Sequence, residues 1–279
     1  MINLPKPKLK AEKVFADCIS KIKNADLKER MGDVAEAITA ASGEYERLAA
    51  RTRLHELGRD QPLGAVTIAE MEAVYTNRMA KKKAPGRYAY DEIFNSSPNA
   101  RCPLCGHRKV STLDHHLPKS HYPAFSVAPI NLVPACTDCN KAKLASIPVS
   151  ADSQALHPYF DNINDKRWLY GKVLEVTPVV IEFRVIKPEE WSDVLSSRVD
   201  LHFNRLGLGP LYSAEAVDEL ENIRHQLISL HGIGGAELVR SEMIDRAASA
   251  RKYRLNGWRT ATFEAFAASE WFCDGGFQE

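Results

Sequence analysis

Apolar residues recur at helical spacing through most of the chain. Val14, Phe15, Cys18, Ile19 and Ile22 fall on one stripe, predicting a helix over about 10–25 with Cys18 as a small buried hydrophobe. Leu27, Met31, Val34, Ile38, Ala41, Tyr45 and Leu48 then alternate in steps of four and three, predicting one long helix over about 26–57 with a heptad-like seam. The seam suits antiparallel packing on a neighbouring helix of this chain, and a partner helix could use the same face. Gly43 interrupts it at a cost of about 1 kcal/mol relative to Ala. Gly58 to Gly64, with Pro62, reads as a loop. Thr67 and Glu70 then form a capping-box pattern, opening a helix that turns Ile68, Met71, Tyr75 and Met79 inward. A lysine run and Pro85-Gly86 end it, and a short helix over about 87–94 follows.

The helical pattern lapses twice. Lys109 to His115 predicts a strand and Asn131 to Pro134 part of a second. Pro118, Pro123 and Pro129 lie between them, so the connection is a shaped loop and not a tight hairpin turn. Thr137 or Asp138 can cap a helix running through Asn140 to about 145, on which Asn140 and Lys143 share a face. Strand side chains alternate, so His115 and His116 point to opposite sides. After a polar connector, 168–176 and 179–186 predict a β-hairpin about Thr177-Pro178. Three helices follow: one through Leu195, Val199, Phe203 and Leu206, one through Leu220 to Leu230 ending at the glycines 232–235, and one over about 236–254. Phe263, Phe266 and Trp271 read as core. The pattern is that of an α+β, predominantly helical protein: a helical region over 1–85, a central module over 86–149, and a hairpin with helices over 150–279.

Composition narrows the class. With 44% hydrophobic and 26% charged residues the chain is an ordinary globular protein and not a disordered one. No apolar run approaches the length of a membrane helix, and the lysine-bearing start has no apolar core of a secretory signal. A net charge of +1 argues against whole-surface attraction for nucleic acid. Between Arg101 and Ser146, however, six basic residues (Arg101, Arg108, Lys109, Lys119, Lys141, Lys143) face two acids (Asp114, Asp138), and Arg78, Lys81, Lys82, Lys83 and Arg87 lie just upstream.

Four of the six cysteines form two Cys-x-x-Cys pairs, Cys102/Cys105 and Cys136/Cys139. Two such pairs make a tetrahedral four-thiolate zinc site with no position left for substrate or water, so the zinc is expected to be structural. Thiolates kept for metal suit a reducing cytoplasm. Any chemistry must come from the residues the pairs enclose and follow, Asp114, His115 and Asn140.

Asp114-His115-His116-Leu117-Pro118, then Asn131-Leu132, then Cys136-x-x-Cys139-Asn140-x-x-Lys143 resembles the HNH endonuclease motif, in the subgroup whose ββα-metal core is stapled by a four-cysteine zinc. The resemblance is confined to residues 101–143. It implies that His115 is the general base on an attacking water and that Asn131 steadies the connecting loop by hydrogen bonds. Asp114 and Asn140, hard oxygen donors, would hold a catalytic Mg2+ or Mn2+. Lys143 and Arg108, with Lys81, Lys82 and Lys83 upstream, are the expected phosphate contacts. The doubled histidine leaves a one-residue register shift, with His116 as base, as the alternative. The expected substrate is DNA, with RNA left open. The chain could act alone or as the nuclease subunit of a bacterial antiviral defence system paired with an ATPase. A non-catalytic four-cysteine zinc module binding nucleic acid or a protein partner is the competing class.

Overall fold

The computed structural model describes residues 1–278. The chain forms two compact units, Met1–Asn162 and Ile163–Glu279. The N-terminal region expected over 1–85 therefore folds with the central module as one body, and packing explains why.

Unit 1 opens with helices α1 (Ala11–Ile19), α2 (Ala25–Asp33) and α3 (Ala35–Ala49). The single helix expected over 26–57 is broken at Val34, whose φ of −96° and ψ of 1° leave the helical region. Gly32 just before it and β-branched Val34 itself are weak helix formers. The seam survives the bend: Met31, Val34, Ile38, Tyr45 and Leu48 are all buried against this chain. Helix α4 (Ile68–Val74) opens on the expected capping box, with Thr67 and Glu70 each bonding the other's backbone N–H. It continues as a π-helical stretch, Tyr75–Ala80, before α5 (Arg87–Phe94).

Strands β1 (Thr112–His115) and β2 (Leu132–Ala135) pair antiparallel, with Asp114 opposite Val133 and His115 opposite Leu132. Between them run two 3-10 turns, Pro123–Phe125 and Pro129–Asn131, so the prolines do shape the connection. Helix α6 (Thr137–Lys143) follows. The two-stranded ladder lies between two cores. Leu113 and Leu132 join the cluster built by α1, α2, α4 and α5, whereas Val133 and the loop residues Leu117, Tyr122 and Phe125 join a second one with Tyr45 and Leu48. Helix α3 feeds both. The strands are too short to stand alone, and the N-terminal helices cover both of their faces.

Unit 2 begins with an antiparallel hairpin, β3 (Leu169–Leu174) and β4 (Val180–Val185). Helix α7 (Asp193–Arg205) is capped by Ser192, and α9 (Trp258–Ala268) packs on the hairpin. Gly171 permits that approach, since a Cβ there would lie 2.8 Å from the Ala261 carbonyl oxygen. The two helices expected on either side of the glycines form one element, α8 (Leu208–Tyr253), bent only at Gly235. Its φ of +61° with ψ of −155° is a conformation open to glycine alone. Phe263 and Phe266 are core, as expected. Among the described residues no helix is long and apolar enough to cross a membrane.

Candidate functional site

The four paired cysteines converge. All are buried, none is in a disulfide, and their sulfurs lie within 4.8 Å of one another. A zinc with Zn–S bonds of about 2.3 Å spaces its four sulfurs about 3.8 Å apart, so the cluster has the dimensions of a tetrathiolate site. Each pair is shaped by its own backbone. Gly106, at φ +68°, turns the chain after Cys105, and Cys102 N–H bonds the Arg108 carbonyl at 2.7 Å. In the second pair the Cys139 N–H donates to Cys136 Sγ at 3.4 Å. Cys136 is thereby the N-cap of α6, one residue before the expected Thr137 or Asp138. Thr137 instead meets Ser111. His107 lies beside the first pair and outside the cluster.

Helix α6 leaves this staple and carries Lys143 back to β1. The Lys143 ammonium sits 2.9 and 3.1 Å from the two Asp114 oxygens and 2.6 Å from the His115 carbonyl oxygen. Both side chains are buried, so Lys143 is not a solvent-facing phosphate contact. Burial pushes the Asp114 carboxyl up, and the Lys143 charge with its hydrogen bond pulls it back. Removing one partner of such a pair strands a buried charge. Lys143→Met is expected to lower unfolding stability by about 3–5 kcal/mol. Adding Asp114→Asn should recover most of it, as read by denaturant titration. A single substitution within about 1 kcal/mol of wild type would contradict the pairing.

His115, at the end of β1, directs Nε2 at the Ser126 carbonyl oxygen, 2.8 Å away. A carbonyl accepts only, so Nε2 carries the proton and Nδ1 keeps its lone pair. Among the described residues Nδ1 has no hydrogen-bond partner, and it is not fully buried, so it reaches solvent. Burial of the ring, helped by the charges of Lys119 and Lys143 and opposed by the Ser126 bond, brings the imidazole down to about 3. The ring is half-buried, and His115 is neutral near pH 7. Tyr75 packs against it with ring centroids 4.4 Å apart.

Asn131 is fully buried and every hydrogen-bonding site of its amide is used. Oδ1 accepts from the Leu117 N–H (2.7 Å) and the Tyr45 hydroxyl (3.2 Å), and Nδ2 donates to the carbonyls of Leu117 (2.9 Å) and Phe125 (3.2 Å). It thus closes the 117–131 loop that presents the Ser126 carbonyl to His115. Behind it Tyr45 also meets His157 Nε2 at 3.1 Å, and the His157 ring packs on His116 with centroids 4.0 Å apart and planes tilted by 33°. His116 is therefore buried on the face away from His115, as strand alternation requires. Asn140 is half-buried on α6, one turn before Lys143, and its side chain makes no hydrogen bond within the described residues.

The expected phosphate contacts are distributed unevenly. Arg108 pairs with Asp138 at 2.9 Å and Lys119 with Glu72 at 2.7 Å, so with Lys143 three of the six local basic residues are ion-paired in place. Lys81, Lys82 and Lys83 sit on an exposed loop with no ion pair among the described residues. Sequence reasoning missed Tyr45, Tyr75, Ser126 and His157. Ser126 acts through its backbone, which no residue pattern encodes, whereas Tyr75 lay on the inward stripe of α4.

No protein-family model matches the chain, and no solved structure matches it. One curated protein does. The chain is similar to Protein ea31 of Escherichia phage lambda. The two are 35% identical over 191 residues, an alignment that covers 64% of each. The match thus spans just under two thirds of that relative's length, and its name states no activity.

Proposed function

We propose that the chain is a metal-dependent endonuclease of the HNH type, hydrolysing phosphodiester bonds in DNA. The observation that carries this reading is His115: a neutral imidazole with its tautomer held by a backbone carbonyl, its free nitrogen open to solvent, beside a buried carboxylate and a four-thiolate staple. That is the state a general base needs before it takes a proton from water. In the proposed step Nδ1 receives the proton of the attacking water while Nε2 keeps its bond to Ser126.

A hard divalent cation would supply charge stabilisation to the phosphate and the leaving oxygen. Asp114 and Asn140 are the residues to hold it. The Asn140 amide is unengaged, as a ligand in waiting should be. Asp114 has less to offer: an ionised carboxylate has about four acceptor positions, and Lys143 with the His115 N–H draws on three. One remains, so the donor set fits narrowly. Lys143 favours the ionised form of Asp114, and Asn131 keeps the loop closed. The same engagement of Asp114 is what favours the second reading, a zinc module that binds nucleic acid without cutting it.

End-labelled DNA and RNA oligonucleotides, incubated with the protein and Mg2+ or Mn2+, separate these readings. DNA strand cleavage is expected to stop on mild chelation and to return with added metal while zinc stays bound. Retention of labelled strands without cleavage in any metal supports the zinc-module reading instead. Binding itself should be modest and steeply salt-dependent. Replacing Lys81, Lys82 and Lys83 together by Gln should flatten the slope of log affinity against log salt by up to about three phosphates' worth. An unchanged slope would make the lysine loop merely a solvated surface.

A further inference from the structure

The N-terminal helices reach the His115 ring through α4. That helix gives way after Val74 to the π-helical stretch 75–80, and π-helical turns recur at functional sites. Its first residue, Tyr75, sets its ring against the His115 imidazole with centroids 4.4 Å apart and planes at 73°, an edge-to-face arrangement. One turn earlier on the same helix Glu72 holds Lys119, 2.7 Å away, in the loop that leaves His115. The α4 face therefore grips both the imidazole and its following loop. Burial foremost, with Tyr90 and Asp114 nearby, keeps the Tyr75 phenol protonated. Its hydroxyl makes no hydrogen bond within the described residues, so what it offers His115 is the ring.

His115 needs such a contact. It lies at the last residue of β1, where the ladder ends, and a single hydrogen bond, Nε2 to Ser126, fixes its ring. A ring flip would break that bond, placing Cε1 where Nε2 lies and Cδ2 where Nδ1 lies, and so remove the lone pair from its position. We propose that Tyr75 is a positioning residue for His115, holding the imidazole against the Ser126 carbonyl so that Nδ1 alone faces the solvent side. The inference rests on the nuclease reading for its consequence in cleavage, but its physical content, a fixed tautomer, does not depend on activity.

The test uses the full chain, zinc-loaded and uniformly 15N-labelled, and reads the His115 ring nitrogens in long-range 1H–15N spectra. Wild type and Tyr75→Phe should show one Nε2-protonated tautomer, and Tyr75→Ala a mixture of both. In cleavage, Tyr75→Ala should lower kcat about 10- to 100-fold with KM little changed, as for a misplaced catalytic group, and Tyr75→Phe should restore it. Zinc content and melting are matched first. Should Tyr75→Ala not fold, Tyr75→Leu, which keeps a branched apolar side chain there without the aromatic edge, takes its place with the same expectations. A single Nε2–H tautomer in the Ala or Leu variant overturns the proposal, as does a Tyr75→Phe protein as slow as Tyr75→Ala. If wild type cuts nothing, the nuclease reading fails, and the spectra still decide whether Tyr75 holds the ring.

Discussion

Zinc-replete His115→Ala protein is expected to bind DNA as wild type does and to cleave it about 100- to 10,000-fold more slowly, the loss typical of missing acid–base help. The substitution removes the lone pair at Nδ1 and touches neither the cysteine cluster nor the Asp114–Lys143 pair. Single-turnover rates at saturating protein isolate the step. His116→Ala makes the matched control, because His116 is buried against His157 on the opposite face of the strand. It should lose stability before it loses chemistry. Asn140→Ala should also cleave slowly, through weakened metal binding, and excess Mn2+ should restore part of its rate. An active His115→Ala beside a dead His116→Ala would move the base by one residue. Normal cleavage by both would remove the endonuclease reading.

Cys102→Ser or Cys139→Ser is expected to release one zinc per chain and to unfold the module with it. The β1–β2 ladder has four residues a side, and α6 has two turns, so neither element persists unaided. What ties them is the tetrathiolate, and structural zinc contributes on the order of 10–16 kcal/mol in small modules of this kind. The effect should spread beyond residues 101–143, because Leu113, Leu132 and Val133 belong to the two cores of unit 1. Metal analysis and thermal melting together check it. A serine variant that keeps its zinc or its melting transition would show that the cluster is not the staple described.

How much of this was legible in the sequence depends on how local its cause was. The cysteine pairs, the capping box at Thr67 and Glu70, the proline-shaped loop and the opposite facing of His115 and His116 all follow from spacing and backbone geometry, and the structure reproduces them. The bend at Val34 was not legible, because heptad spacing persists through it and only the backbone departs. Lys143 shares its helical face with Asn140 as expected, but whether its ammonium enters solvent or the interior was set by Asp114, 29 positions away in the sequence and adjacent only once β1 meets α6. Tyr75, Tyr45 and His157 converge on the module from segments with no motif of their own, and no pattern within 101–143 points to them.

The central claim is that the geometry around His115 breaks phosphodiester bonds, and relaxation of a supercoiled plasmid tests it most directly. One broken bond anywhere relaxes the circle, so the readout does not depend on knowing a preferred sequence. Zinc-replete wild-type protein with added Mn2+ or Mg2+ should convert supercoiled circles to nicked or linear forms, and chelation of the added metal should stop it. Circles that stay supercoiled in the presence of folded, zinc-bound protein and either metal would contradict the account.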